Sequence, residues 1–277
     1  MSNLNKYITL LEKLTNKKVR LIEDEENSDN NILIPRRSPE ERQKNHLIAT
    51  NKKIQEYIKN GSKGNLDLSN TPIETLPDNL IEVNGNLFLS NCKNLKSLNN
   101  LKYVEKGVVL DNCINLKELS SSLEVNGFIS LKNTLIKKLP DDLKVKDSLY
   151  LSNTPIEELP SNLIKVNGYL DLFNCKNLKN LNNLKYVNGN LYLSYCKNLT
   201  ELPNDLEVEI SLYLSNTLIK ELPNGLKVGS YLDLNNTLVE KLPDDLKVKN
   251  VIFLKNTPLS KNKKLLDQYR KKFKITA

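Results

Sequence analysis

A pair of apolar residues flanking a single variable one returns along the chain at a fixed interval. Leu-x-Leu begins at Leu66, Leu87, Leu149, Leu170, Leu191, Leu212 and Leu232. Val108-Val-Leu, Ile129-Ser-Leu and Ile252-Phe-Leu fill the remaining slots, so ten starts follow one another at steps of 20 or 21 residues. A period of this length is the mark of a stacked repeat. The alternation puts two apolar side chains on one face of a short strand. One unit cannot bury that face alone. Stacked units can, with their strands in parallel about 4.8 Å apart. Ten such strands span on the order of 45 Å along the sheet.

The second half of each unit carries a Leu-Pro step and a Val, as in Leu159, Pro160, Leu163 and Val166. A return this short predicts extended or 3₁₀ turns in place of full helices. Asn-Gly pairs at 84–85, 126–127, 167–168 and 188–189 precede the next strand and predict tight turns with positive φ. A second level of repetition lies above the first. Residues 66–148 align without gaps to 149–231, with 51 of 83 positions identical. The array reads as a duplicated four-unit block plus two further units.

A typical unit, LYLSNTPIEELPSNLIKVNGY over 149–169, resembles the leucine-rich repeat family from residue 66 to about 259. The short units with Leu-Pro-Asp-Asn-Leu at 76–80 and Leu-Pro-Asp-Asp-Leu at 242–246 resemble those of bacterial effector proteins and of large-phage leucine-rich proteins. The resemblance implies an α/β repeat solenoid: a curved array with a parallel β-sheet on its concave face, short convex returns and helical caps at both ends. It also implies a phage- or bacterium-encoded protein directed at a host protein.

The flanks divide the rest of the chain. Residues 1–22 form a short helix and strand segment, with Leu4, Tyr7, Ile8, Leu11 and Leu14 on one side of a helix over 3–17 and a strand over 19–22. Residues 23–37 read as a linker. Residues 38–65 form a helical cap, with Ser38 as N-cap and Pro39 at the first helical position. Residues 66–257 are the ten repeats. Residues 258–277 form a basic helical cap, with Leu265, Leu266, Tyr269 and Phe273 spaced for a helix through 261–273.

Charge and composition narrow the function classes. The net charge of +8 suggests a nucleic-acid or anionic-membrane partner when taken alone. Its distribution argues otherwise. Residues 1–65 hold 13 Lys and Arg against 9 Asp and Glu, the repeats hold 21 against 23, and residues 258–277 hold 7 against 1. The repeats are near neutral and the excess sits in the flanks. There is no apolar run long enough for a membrane span and no secretory signal, which leads to the expectation of a cytoplasmic protein. One histidine, His46, excludes multi-histidine metal centres and argues against histidine-based acid–base catalysis. No phosphate loop or nucleophile elbow is present. The expectation is a protein that is not an enzyme and uses no cofactor.

Four cysteines are too few for a disulfide scaffold. Cys92, Cys113, Cys175 and Cys196 all occupy the sixth position of their units, where the other six hold Thr71, Thr134, Thr154, Thr217, Thr237 and Thr257. A ladder of small buried side chains is the favoured reading. A metal or redox pair between adjacent units is the alternative, although stacked parallel side chains rarely meet disulfide geometry.

Strand positions pointing away from the core are the place for a ligand. Among them are Tyr150, Tyr169, Phe173, Tyr192, Tyr213, Tyr231 and Phe253, with Asp171 and Asp233 beside them. These aromatics either stack along the sheet as a structural ladder or form the core of an interface. The interface reading makes the chain a non-enzymatic scaffold for an unidentified protein partner, monomeric unless assembled through its N-terminal segment. Carbohydrate and nucleic acid are weaker alternatives for the face. The alternative for the chain as a whole is a structural component of a virion or larger assembly, attached through residues 1–22.

Overall fold

The computed structural model describes residues 19–21, 32–34 and 38–277, and the helix expected over 3–17 lies outside them. The chain divides into two units, Met1–Ile48 and Ala49–Ala277. In the first, strand Val19–Leu21 pairs in parallel with strand Ile32–Ile34, which falls inside the 23–37 stretch. Ile-Leu-Ile is a strong strand former, and its partner is Val-Arg-Leu. Helix Pro39–Lys59 begins in this unit. Ser38 and Glu41 exchange hydrogen bonds there, each side chain accepting from the other's backbone N–H at 3.1 and 3.2 Å. This capping box satisfies two donors that a helix start leaves open.

The second unit is a parallel β-solenoid of ten coils. The first residue of each sequence unit pairs with the first residue of the next, from Leu66↔Leu87 and Leu87↔Val108 through Leu212↔Leu232 and Leu232↔Ile252. These strands belong to one eleven-stranded sheet, whose last member is Lys274–Thr276. The return half of each coil carries its own strand. Residues 82–83, 103–104, 124–125 and 144–145 form a four-stranded sheet, and 165–166, 186–187, 207–208, 227–228 and 247–248 a five-stranded one. The returns are therefore hydrogen-bonded from coil to coil. The break between these two sheets falls between coils four and five, where the duplicated blocks meet.

Between the sheets lies a single continuous core. In coil five Leu149, Leu151, Ile156, Leu159 and Val166 are all 3% exposed or less. Each such side chain contributes roughly 1.5–3 kcal/mol by leaving water. Because coils bury their faces only against neighbours, this stabilisation is shared between coils.

Positive φ is not found where the Asn-Gly pairs predict it. It falls on the fifth residue of every coil: Asn70, Asn91, Asn112, Asn133, Asn153, Asn174, Tyr195, Asn216, Asn236 and Asn256. Asparagine tolerates the left-handed region better than other side chains. It also bonds along the stack, each Nδ2 donating to the preceding Oδ1 from Asn91 to Asn174 at 2.7–3.2 Å. The glycines of the Asn-Gly pairs serve close approach instead. A Cβ at Gly85 would lie 2.2 Å from the Gly64 carbonyl oxygen, and one at Gly189 would lie 2.6 Å from that of Gly168.

At the start of the solenoid, Ile54 of the long helix is fully buried. The Tyr57 hydroxyl donates to the carbonyls of Ser62 and Gly64, and Lys53 Nζ donates to that of Asp67. At the other end the single helix expected through 261–273 is replaced by two short helices, Pro258–Lys261 and Lys263–Tyr269, followed by the strand Lys274–Thr276. Thr257 caps Pro258–Lys261 and Asn262 caps Lys263–Tyr269, each side chain accepting a backbone N–H of the first turn. Asn262, with φ −89° and ψ 84°, is not helical and separates the two. Lys274–Thr276 then pairs with Val251–Phe253. Leu259 and Leu266 are buried, and the Tyr269 hydroxyl bridges the N–H and carbonyl of Leu242.

The cysteines are fully buried. Each Sγ donates to a carbonyl of the preceding coil at 3.0–3.1 Å: Cys92 to Leu68, Cys113 to Leu89, Cys175 to Leu151 and Cys196 to Leu172. The threonines bond the equivalent carbonyl of their own coil, as Thr134 does with Leu131 at 2.8 Å. One slot thus satisfies the same carbonyl in two ways. All four cysteines are free thiols. Burial pushes the Cys113 thiol up to about 12 and the Cys175 thiol up to about 11. Burial raises Cys196 as well. A thiol-specific chromogenic reagent is expected to count none of the four in the native protein and all four after denaturation. Rapid native labelling would contradict the ladder. The unfolded chain loses these protons near the ordinary thiol value of about 8.5, well before the fold does. Stability therefore falls as pH rises from there toward 12.

Candidate partner-binding face

Side chains between the two apolar residues of each strand point away from the core of the large sheet. Parallel pairing brings six of the sequence-predicted residues into one row: Tyr150, Asp171, Tyr192, Tyr213, Asp233 and Phe253, each paired with the next. Tyr169 and Tyr231 stand at the strand entrances, and Phe173 lies beyond its strand; all three are 40–41% exposed.

The rings interact in pairs. Tyr192 and Tyr213 stack face to face, with centroids 4.9 Å apart and planes 4° from parallel. Phe128 meets Tyr150 edge-on at 6.1 Å, and Tyr231 meets Phe253 at 6.1 Å and 44°. Asn190 Nδ2 donates to the Tyr192 hydroxyl at 2.7 Å. Partial burial pushes the Tyr192 phenol above its ordinary value, so the face presents it as a neutral hydroxyl at physiological pH.

The two aspartates of the row differ. Asp171 accepts the Phe173 N–H at 3.0 Å and the Ser152 hydroxyl, and Lys132 Nζ lies 3.8 Å away. That ammonium also sits 4.8 Å from the centroid of the Tyr150 ring. Asp233 accepts the Asn235 N–H at 3.0 Å.

Tyr195 belongs to this face, and the strand periodicity alone did not place it there. It occupies the fifth position, where nine coils have asparagine, with φ +66° and 43% exposure. A bulky side chain in the left-handed region costs about 1–2 kcal/mol. It also interrupts the asparagine stack. What Tyr195 gains is an edge contact with Phe173 at 5.4 Å, and Lys197 Nζ lies 5.8 Å from its ring. The signal in the sequence is the break in a fixed column, Asn to Tyr, where the periodic rule demands asparagine. Tyr195→Asn is expected to raise stability by about 1 kcal/mol, read as a higher urea midpoint at constant slope. An unchanged or lower midpoint would show that the tyrosine is not strained.

Comparing the duplicated blocks adds an independent observation. The block 66–148 has 12 outward positions on the large sheet, and 11 of them carry a different residue 83 positions later. Only Ser69 and Ser152 agree. At the other 71 positions 50 residues are identical. The outward set holds two aromatics in the first block, Phe88 and Phe128, and six in the second. The outward face differs at 11 of 12 positions, against 21 of the other 71.

Among the described residues no group of three or more His, Cys, Asp or Glu is placed to hold a metal ion. No described helix is long and apolar enough to cross a membrane. Compared with known proteins, the chain matches no family model and no curated protein.

Proposed function

We propose that the chain is a non-enzymatic binding scaffold of the leucine-rich repeat type, with the outward face of the large sheet in coils five to ten, its concave face, holding a protein partner. The observation that carries this reading is the contrast between the duplicated blocks. A face that served only to stack would be copied with the rest of the scaffold. Here 11 of 12 outward positions differ against 21 of the other 71, and the differences favour aromatics. Tyrosine is over-represented where binding energy concentrates, because it buries a large area at little entropic cost.

The ring geometry selects among ligand classes. A sugar needs a free aromatic face to lie on, whereas Tyr192 and Tyr213 each turn one face to the other, which leaves less open face between them. A protein surface uses edges, hydroxyls and neighbouring amides together. The near-neutral repeats do not favour a polyanion. In this reading the long helix and the two C-terminal helices cover the ends of the stack, as a solenoid requires. The test is capture by the immobilised protein, comparing the intact chain with Tyr192→Ala plus Tyr213→Ala. A partner retained by the first and lost by the second supports the reading; equal retention removes the face from consideration.

A further inference from the structure

We propose that Tyr213, Tyr231, Asp233 and Phe253 form a seat for one cationic side chain, an arginine or lysine, carried by the protein partner. This deepens the reading above and rests on it. The register puts Asp233 between Tyr213 on one neighbouring strand and Phe253 on the other. Tyr231, two residues before Asp233 at the entrance of its strand, closes a third side of the same face. Tyr231 and Phe253 stand 6.1 Å apart at 44°, a tilted pair beside the carboxylate. On the fourth side Asn235 donates its N–H to Oδ1 of Asp233.

The carboxylate is left incomplete. Asp171 in the same row has a hydroxyl, an amide and an ammonium around it. Asp233 has the single amide, and among the described residues no cation lies within ion-pair distance of it. Lys255 lies two residues past the adjacent strand Val251–Phe253, yet its backbone N–H bonds Asn235 Oδ1 and its side chain makes no such pair. Rings on three sides lower the local dielectric and attract a cation through their quadrupoles, while the carboxylate supplies a charged acceptor. A guanidinium or ammonium satisfies both at once; a neutral amide satisfies neither as well. An anionic ligand would meet an unpaired like charge.

The test uses the full chain and two probes, acetyl-Gly-Arg-Gly-amide and acetyl-Gly-Gln-Gly-amide, followed by the chemical shifts of the Asn235 amide and of the Tyr231 and Phe253 rings. The arginine peptide is expected to give a saturable shift at these residues, and the glutamine peptide none over the same range. Asp233→Asn, which keeps the shape and the Asn235 contact, is expected to weaken the arginine peptide by at least about tenfold. Tyr231→Ala is expected to weaken it too, while Asp67→Asn, an outward aspartate in the first coil, leaves it unchanged. Equal shifts from both peptides, or an unaltered response in Asp233→Asn, would overturn the seat. The two proposals fail distinguishably. A partner lost by the Tyr192 and Tyr213 variant but held by Asp233→Asn refutes the seat alone. Unchanged capture by the tyrosine variant refutes the wider face, and with it the seat as a partner contact, whatever the peptides do.

Discussion

Replacing Tyr192 and Tyr213 together by alanine is expected to weaken partner binding by roughly a hundredfold or more, while the fold survives. Central aromatic residues at an interface commonly contribute about 2 kcal/mol or more each, and about 1.4 kcal/mol is a factor of ten. The two rings sit mid-row, between Asp171 and Asp233, where a bound surface would exclude water best. The cost to the fold is smaller. Both residues are half-buried and point away from the core, so truncation opens no internal cavity. What is lost is the stacked contact, about 0.5–1.5 kcal/mol, together with the hydrogen bond that Asn190 makes to Tyr192. A titration on immobilised protein and a thermal melt measure the two quantities. A large fall in melting temperature accompanying the loss of binding would assign the pair a structural role instead.

Leu193→Ala is expected to do the reverse, destabilising the solenoid by about 2–5 kcal/mol through the cavity it leaves. Leu193 is fully buried in coil seven, and its N–H bonds the Tyr213 carbonyl of the next coil at 2.8 Å. It touches coils on both sides, so the loss propagates to two interfaces instead of one. Chemical denaturation is the measurement. A cost below about 1 kcal/mol would mean that the core relaxes around the gap, contrary to a stack packed at ordinary interior density. The two substitutions act on adjacent residues of one strand, Tyr192 and Leu193, and are expected to separate binding from stability because alternate side chains face opposite ways.

That alternation explains what could be read before the structure was known. Strand starts, their register and the buried Cys–Thr column follow from a period that repeats ten times, and each repetition restates the same constraint. The row from Tyr150 to Phe253 was legible for the same reason. The returning strands were harder to see. Val83, Val104 and Val125 are isolated valines among polar residues, and two-residue ladders show no alternation of their own. The Asn-Gly pairs misled because glycine has two uses, and sequence alone does not separate a left-handed φ from the approach of a neighbouring backbone. Gly85 has the second, and the first belongs to the asparagine column. The expected C-terminal helix is too long because Phe273 keeps helical spacing from Tyr269, where the helix ends, while Asn262 separates it from Pro258–Lys261 and Lys274-Ile-Thr follows as a strand. Tyr195 is not marked by the strand period because it lies past the strand, in a turn.

The most direct test of the account exchanges the face for one the scaffold already carries. Tyr150→Asp, Tyr169→Asn, Tyr192→Val and Tyr213→Ser install in the second block the residues found 83 positions earlier in the first, at Asp67, Asn86, Val109 and Ser130. The backbone accepts those residues in the first block, so the exchanged chain is expected to fold and melt within a few degrees of the parent. It is also expected to lose the partner that the parent captures. Capture of the same partner with undiminished affinity by the folded, exchanged chain would contradict the account.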